Sequence, residues 1–242
     1  MTPYQQSYPA TGSKVEIVNA FMRGVYAWMA AGLALTAVMA WATMNTPLAN
    51  LIFSVDATTG ARAMSPMIWI FFIAEIGIVF YLSARIQKME ATTAVALFMV
   101  YSGLNGLTLS PLLLMYTAAS VTSTFAVTAG MFGAMSLYGL VTKKDLTSWG
   151  SFLTMGVIGL LIAMVVNIFL QSSMMHFVIS GLGVIIFLGL TAYDTQKLRV
   201  MGETAPGDAG VIRKVTILGA LTLYLDFINL FIFLLRFMGD RR

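Results

Sequence analysis

The sequence predicts an all-α integral membrane protein, a bundle of seven transmembrane helices. Of its 242 residues, 59% are hydrophobic and 10% are charged, whereas ordinary soluble domains are about 45–50% apolar and about 25% charged. Seven spans of about 20 residues need about 140 residues, close to the number of apolar residues present. A soluble enzyme is excluded first, because so few charges would leave its surface largely apolar.

Seven apolar runs along the chain are each long enough to cross a bilayer. They are predicted at residues 24–44, 66–84, 91–115, 120–142, 147–170, 174–193 and 215–237. Two connections are long. One covers residues 45–65, and the other, residues 194–214, contains Gly202, Pro206 and Gly207 and is predicted to be a helix end followed by a flexible loop.

The domain organisation is simple. Residues 1–23 are polar and rich in turn formers, and the apolar run after them is too long for a signal-peptide core and lacks a small-residue cleavage site. They are therefore predicted to be a retained cytosolic tail. Residues 24–237 form the seven-helix transmembrane domain, residues 238–242 form a short C-terminal tail, and no soluble module is expected.

The distribution of basic residues predicts the orientation. With seven spans, ten of the 14 Lys and Arg residues fall on the side of the N-terminus. By the positive-inside rule, the chain is expected in a bacterial inner membrane with its N-terminus cytosolic and its C-terminus outside. Three arginines, Arg236, Arg241 and Arg242, would lie outside after the last crossing, against the same rule. A final segment that returns to the cytosolic side therefore stays an alternative.

The residue types present exclude several kinds of chemistry. The chain has no cysteine and one histidine, His176, so disulfides, thiolate sites and multi-histidine metal centres are excluded. No basic run exceeds two residues, so we expect no nucleic-acid partner. The expected partners are the lipid bilayer, small cations and protons, and no tightly bound cofactor is predicted.

Small residues are frequent in the third, fourth and fifth predicted spans. They favour close helix packing in lipid, and the alternative is a hinge or broken helix before Pro111, where polar side chains would satisfy freed backbone groups. The small residues are Gly103, Gly106, Ala126, Gly130, Ala134, Gly156, Gly159 and Ala163, and the polar residues are Ser102, Asn105, Thr108 and Ser110.

Ionisable residues inside the spans are the best candidates for function. Glu75 lies in the middle of the second span and Asp226 in the middle of the seventh, where each charge costs about 2.5–3.5 kcal/mol on insertion scales. Arg85 ends the second span and Asp194 ends the sixth, on the same side, so an Arg85–Asp194 ion pair is geometrically allowed. The alternatives are that the buried acids are neutral helix-bonding groups and that Arg85 and Asp194 simply meet water or headgroups.

Helical spacing groups Asp226 with other small and polar residues. One stripe on the seventh span and another on the sixth would bring Asp194 and Asp226 together if they face each other. The stripes are Gly219, Thr222, Asp226 and Asn229, and Ser180, Gly183, Thr191 and Asp194. Two carboxylates about 4 Å apart repel by about 4 kcal/mol at an effective dielectric of 20, so they would share a proton and act as a pH sensor. When ionised, the pair offers oxygen ligands for a weak calcium site, for which Arg85 would compete.

Four stretches carry a resemblance to a known family. They look like the bacterial branch of the Bax inhibitor-1 family, and the likeness extends over residues 21–242. The stretches are GLTAYDTQKLR at 189–199, LGALTLYLDFINLFIFLLR at 218–236, AVTAGMFGAMSLYGLVTKKDL at 126–146 and LNGLTLSPLLLMYTAAS at 104–120.

The resemblance implies a fold and a function. It implies a central helix surrounded by six others and a pH-dependent leak of calcium, which is the transported ion. The family's di-aspartyl sensor corresponds to Asp194 and Asp226, its arginine latch resembles Arg85, and an acid that lines the path resembles Glu75. The link of eukaryotic members to cell death is not extended to this chain.

Other classes of membrane protein share some of these residues but require motifs that this sequence lacks. An intramembrane aspartyl protease also uses a Tyr-Asp pair and a second aspartate, but here Leu223, Tyr224 and Leu225 precede Asp226 in place of Gly-x-Gly. A rhomboid protease lacks its Gly-x-Ser-Gly motif, and a retinal protein lacks its lysine in the last span, so we expect no enzyme. A regulator that binds a membrane protease or another complex stays the alternative, and a cotransporter is disfavoured because no inverted repeat is found.

Overall fold

The computed structural model describes residues 11–55, 62–204 and 209–242. The elements in chain order are α1 (Thr11–Asn45), α2 (Ala49–Ile52), β1 (Phe53–Val55), β2 (Arg62–Met64), α3 (Met67–Arg85), a 3₁₀ turn (Ile86–Lys88), α4 (Ala91–Met115), α5 (Ala118–Val141), α6 (Thr147–Leu170), α7 (Ser173–Thr204) and α8 (Ala209–Met238). Seven of these helices, all except α2, are long and apolar enough to cross a membrane. The predicted all-α, seven-span fold is confirmed.

The helix bounds agree best where the sequence marks both ends of a span. The third and fifth spans have the predicted limits. In contrast, α1 begins inside the predicted N-terminal tail, and α7 continues to Thr204. The predicted connection at 194–214 does begin with a helix end, but the extent of its loop is corrected, since helix occupies the chain on both sides of residues 205–208, which lie outside the described residues. The additional turns of α1 and α7 stabilise each other, because Phe21 of α1 packs directly against Gly202 of α7.

The central helix of the bundle is α8. It is the most buried span, at 67% of its apolar window, against 17% for α3 and for α6. It packs against α1, α4, α5 and α7, while α3 packs mainly on α4 and α6 mainly on α7. A central helix with the other six around it is confirmed, with α3 and α6 as the outermost members.

The connection between the first two spans holds the only sheet in the described part of the chain. Strands β1 and β2 pair antiparallel, with Phe53 opposite Met64 and Val55 opposite Arg62. The short helix α2 leads into this hairpin, and its residue Ile52 is fully buried against the bundle. The hairpin therefore caps the end of the bundle at which α1 ends and α3 begins.

The small residues divide into a packed group and an exposed group. A Cβ at Gly106 of α4 would lie 2.5 Å from the carbonyl oxygen of Thr36 in α1, so close packing is confirmed there. On α5, however, Ala126, Gly130 and Ala134 lie on the exposed face. The expectation of tight helix packing is therefore wrong for this stripe, because α5 turns a different face towards α7 and α8.

The helix α4 runs unbroken through Pro111. Proline has no N–H to donate, which leaves the carbonyl of Leu107 without its usual helical partner. The hydroxyl of Ser110 donates to that carbonyl at 2.7 Å. The hinge alternative at this position is thus not formed in the structure, since a local side chain satisfies the group that proline frees.

Candidate functional site

The helices α7 and α8 bring two aspartates together inside the bundle. They pack antiparallel, with the Phe187 and Phe233 rings stacked at 5.7 Å. About two helical turns nearer the α7–α8 connection, the side chains of Asp194 and Asp226 lie close enough to interact. Asp226 is 5% exposed and Asp194 is half-buried. The structure therefore brings Asp194 and Asp226 together, as their positions on the two stripes predicted.

The rest of the predicted stripe on α8 behaves differently from Asp226. Gly219 is buried and lets Leu198 of α7 approach closely. Thr222 and Asn229 are half-buried, and each donates to a carbonyl of its own helix, that of Leu218 and that of Leu225. Asp226 is thus the member of this stripe that is directed at another span's ionisable group.

Buried side-chain oxygens without a hydrogen-bond partner occur on α5, α7 and α8. Within the described residues, Oδ2 of Asp226, the hydroxyl of Thr195 and the hydroxyl of Ser136 on α5 are buried without a hydrogen-bond partner. Thr195 lies at the contact where Gly139 of α5 meets α7, and Ser136 is one turn away on α5. Each of these oxygens can therefore still accept a hydrogen bond from a small polar species.

Few charges act on the pair. Lys197, one turn further along α7, is the cation that faces Asp194, and it also lies 5.8 Å from the centre of the Tyr193 ring. The helices α4, α5 and α6 contain no Asp, Glu, Lys, Arg or His at all. The protonation of the pair is thus governed by the two acids themselves, by burial and by Lys197.

Arg85 lies apart from the aspartates in this structure. It is the last residue of α3 and it is exposed, and among residues 11–55, 62–204 and 209–242 no acid forms an ion pair with it. The one ion pair in the described part of the chain joins Arg199 and Glu203, on α7, at 3.6 Å. The predicted ion pair between Arg85 and Asp194 is therefore not formed in this structure.

Glu75 lies in a second buried polar centre, between α3 and α4. It is 7% exposed. Thr108 donates to its Oε1 at 2.7 Å, and Asn105 donates to its Oε2 at 3.5 Å. Asn105 also donates to the hydroxyl of Tyr101 at 3.5 Å, while its own carbonyl oxygen is buried without a partner. Two residues of α4, Asn105 and Thr108, thus hold the carboxyl group of the neighbouring helix.

Aromatic residues form a buried cluster next to the Glu75 centre. Tyr224, two residues before Asp226, is fully buried, and its ring contacts the rings of Phe98 and Tyr101 edge-on at 5.7 Å each. Its hydroxyl shares a 2.6 Å hydrogen bond with Thr36 of α1, which also donates to the carbonyl of Ser102 at 2.9 Å. Side chains from α1, α4 and α8 therefore form a buried cluster, which Tyr101 joins to Asn105 of the Glu75 centre.

Sequence reasoning did not single out Tyr224 or Thr36. Their types gave no signal, since a tyrosine and a threonine in apolar spans are ordinary packing residues. Helical spacing gave no signal either, because Tyr224 and Asp226, two residues apart, lie on different faces of α8. The role of Thr36 becomes visible only when α1 and α8 are packed together.

The acids provide limited capacity for a metal ion. No group of three or more His, Cys, Asp or Glu side chains converges within the described ranges. Asp194 and Asp226 could supply carboxylate oxygens to a hard cation such as calcium, and Thr195, next to Asp194 in the chain, has a buried hydroxyl without a partner. Calcium prefers 6–8 oxygen ligands, so this arrangement suits a passing ion rather than a tightly held one.

The fold and the buried acids define a class, that of polytopic membrane proteins with a carboxylate pair between their last two spans. The family model described as "Inhibitor of apoptosis-promoting Bax1" matches residues 18–242. The chain therefore belongs to the Bax inhibitor-1 family.

Curated relatives cover nearly all of the chain. The inner membrane protein YbhL of Escherichia coli strain K12 is 50% identical over 227 residues, which is 93% of both chains. The uncharacterized protein RP147 of Rickettsia prowazekii is 45% identical over 94% of this chain and 92% of its own. The uncharacterized protein YrjE of Lactococcus lactis is 35% identical over 92% and 91%. Together with the seven apolar helices, the likeness to YbhL identifies a multi-pass inner membrane protein.

Proposed function

We propose that this protein is a pH-sensitive calcium leak channel of the inner membrane, in which Asp194 and Asp226 form the sensor. One observation carries the proposal. The side chains of the two acids lie close enough to interact, between α7 and the central helix α8, in a part of the bundle with few other charges. A change in their shared proton therefore acts directly on the contact between two spans.

The physical basis is the repulsion of two close carboxylates. They cannot both be ionised without a large penalty, so the closed arrangement holds one proton between them and titrates as a unit. Loss of that proton would force the carboxylates apart or draw in a cation. Oδ2 of Asp226, which accepts no hydrogen bond from an N–H or O–H group, would provide a ligand for an ion entering at that point.

Glu75 is proposed as the second binding position on the cation's path. The Phe98, Tyr101 and Tyr224 rings pack together inside the bundle, and Tyr101 contacts Asn105 of the Glu75 centre, so the arrangement described above corresponds to the closed state in this proposal. Opening requires these rings to move. Because Asn105 and Thr108 hold the carboxyl group from one side, Glu75 would become available to a cation when α3 shifts on α4.

Arg85 belongs to the proposal as a latch that forms in a different arrangement. It lies at the end of α3, exposed and without an ion pair to any acid in the described ranges. A movement of α3 towards α7 would allow it to reach Asp194, where it would replace the proton as the partner of an ionised carboxylate. In this mechanism, movement of one span both exposes Glu75 and exchanges the partner of the aspartates.

Calcium flux into liposomes that contain only this protein tests the proposal. Flux is measured over pH 6 to 8 for the native chain, Asp194→Asn and Asp226→Asn. We expect both variants to lose the pH dependence, because an amide cannot titrate. Asn229→Ala is the matched control on α8, and it should keep the native profile.

The variant Glu75→Gln separates the path from the sensor. It should lower the flux at every pH without moving the pH at which flux is half-maximal. A native pH profile in both aspartate variants would refute the sensor. No flux from the pure protein, together with a stable membrane partner that co-purifies with it, would favour the regulatory role instead.

A further inference from the structure

An apolar groove lies between α1 and α5, in the half of the bundle where α1 and α8 end. Its cavity volume is about 290 Å³. One wall is a face of α1 with Ala37 and Trp41, the other is a face of α5 with Phe125, and the floor is formed by α4 and α8, including Leu112 and Phe231. The groove therefore cuts into the bundle as far as the central helix.

The groove opens towards the membrane. Trp41 is 64% exposed and Phe125 is 47% exposed, and both helices cross the bilayer. Thr36 is the one polar residue of the lining, and its hydroxyl is already bonded to Tyr224 and to backbone. Apolar cavities do not hold ordered water, and a cavity of about 150 Å³ is large enough to bind benzene. A groove of this size and lining thus fits a hydrocarbon chain.

A cation is held at the end of the groove by the C-terminal residues. The guanidinium of Arg241 lies 5.8 Å from the centre of the Tyr116 ring. The Tyr116 N–H donates to the carbonyl of Leu112, a groove residue, at 3.0 Å. The backbone of Asp240 also bonds to the start of α5, where its N–H donates to Ser120. Arg241 is therefore fixed about one helical turn from the hydrocarbon end of the groove.

The charges at this end favour an anionic headgroup. Arg241 and Arg242 are both exposed, and Asp240 is the acid next to them in the chain. Arginine binds phosphate well because its guanidinium is planar, always charged and presents several donors. A ligand with a hydrocarbon chain below and a phosphate above matches both parts of this surface.

We propose that the groove binds one acyl chain of an anionic phospholipid whose phosphate contacts Arg241. The lipid would lie against Trp41 and Phe125 and fill the space between α1 and α5. This site is separate from the aspartate pair and from Glu75. The proposal therefore does not depend on calcium transport, and its test does not measure flux.

The experiment measures lipid binding to the full detergent-solubilised chain by native mass spectrometry. Phosphatidylglycerol is the probe, and phosphatidylcholine is the headgroup control. Ala37→Phe fills the groove from α1, and Ala34→Phe, on an exposed face of the same helix outside the groove, is its matched control. Arg241→Gln removes the cation, and Arg213→Gln removes an exposed arginine at the other end of α8.

We expect Arg241→Gln to weaken phosphatidylglycerol binding by about fivefold, the effect of one arginine near an anionic lipid surface. Ala37→Phe should also weaken it, because the ring would occupy the space of the acyl chain. The two control variants should bind it like the native chain. Thermal unfolding without lipid shows whether Ala37→Phe still folds, and Arg241→Gln, on the surface, tests the proposal if it does not.

Three results would overturn the proposal. These are native binding by both Ala37→Phe and Arg241→Gln, an equal loss in the control variants, and equal binding of the two lipids by the native chain. A protein segment that co-purifies in the groove and excludes phosphatidylglycerol would likewise contradict it.

Discussion

Thr108 holds Glu75 across the interface of α3 and α4, and the loss of its hydroxyl should destabilise the bundle. The substitution Thr108→Val keeps the shape of the side chain and removes the donor at 2.7 Å from Oε1. Asn105, at 3.5 Å, is too distant to replace it fully. Glu75 would then be buried with one weak partner.

The expected magnitude follows from the geometry. Interhelical hydrogen bonds in membranes average about 0.6 kcal/mol with a maximum near about 1.7 kcal/mol, while bonds to charged groups contribute about 1.5–3 kcal/mol. Because this bond is short and both residues are buried, we expect Thr108→Val to lower the free energy of unfolding by about 1–2 kcal/mol.

A double-mutant cycle isolates the contribution of this pair. Thr108→Val, Glu75→Leu and the double variant are unfolded in mixed micelles, and the free energies are compared. In the Glu75→Leu background, Thr108→Val should be nearly neutral, since no acid remains to be satisfied. Thr122→Val is the control, because that hydroxyl is exposed and bonds only to its own helix. Equal effects of Thr108→Val in both backgrounds would refute the reasoning.

Two further predictions concern packing and pH. Gly106→Ala should be destabilising by about 1–3 kcal/mol, because the new Cβ would meet the backbone of α1, whereas Gly130→Ala, with no atom within 4 Å of its Cβ, should be stabilising by about 0.5–1 kcal/mol through helix propensity. Equal unfolding free energies of the two variants would contradict this. Hydrogen bonds from the side chain and backbone of Thr147 hold the pKa of Asp145 below its usual value of 3.8. Asp145→Ala should therefore lower the melting temperature at pH 7, and the difference should vanish as the pH falls through the lowered pKa. A difference that persists in acid would count against this assignment.

The spans could be predicted from the sequence because hydropathy reports lipid-facing surface directly. Residues 91–115 and 147–170 were predicted with the observed bounds, as polar residues flank both runs. The ends of α1 and α7 could not be predicted in this way. They extend beyond the apolar stretch, and they are stabilised by a contact between distant parts of the chain, Phe21 on Gly202.

The candidate site was partly visible for the same reason. A charge inside an apolar run stands out, so Glu75 and Asp226 were found directly, and helical spacing suggested that Asp226 could meet Asp194. The stripe of Ala126, Gly130 and Ala134 was misjudged because small residues mark a close approach only if another helix lies on that face. The bond between Thr36 and Tyr224 was not predictable, since it depends on how α1 and α8 are rotated.

The most direct test of the central claim is the calcium flux of the double variant Asp194→Asn plus Asp226→Asn in liposomes, from pH 6 to 8. If the two acids share one proton and act as a unit, the double variant should show the same flat pH profile as each single variant, with no additional effect. Independent effects that add, or a native pH dependence in the double variant, would contradict the account.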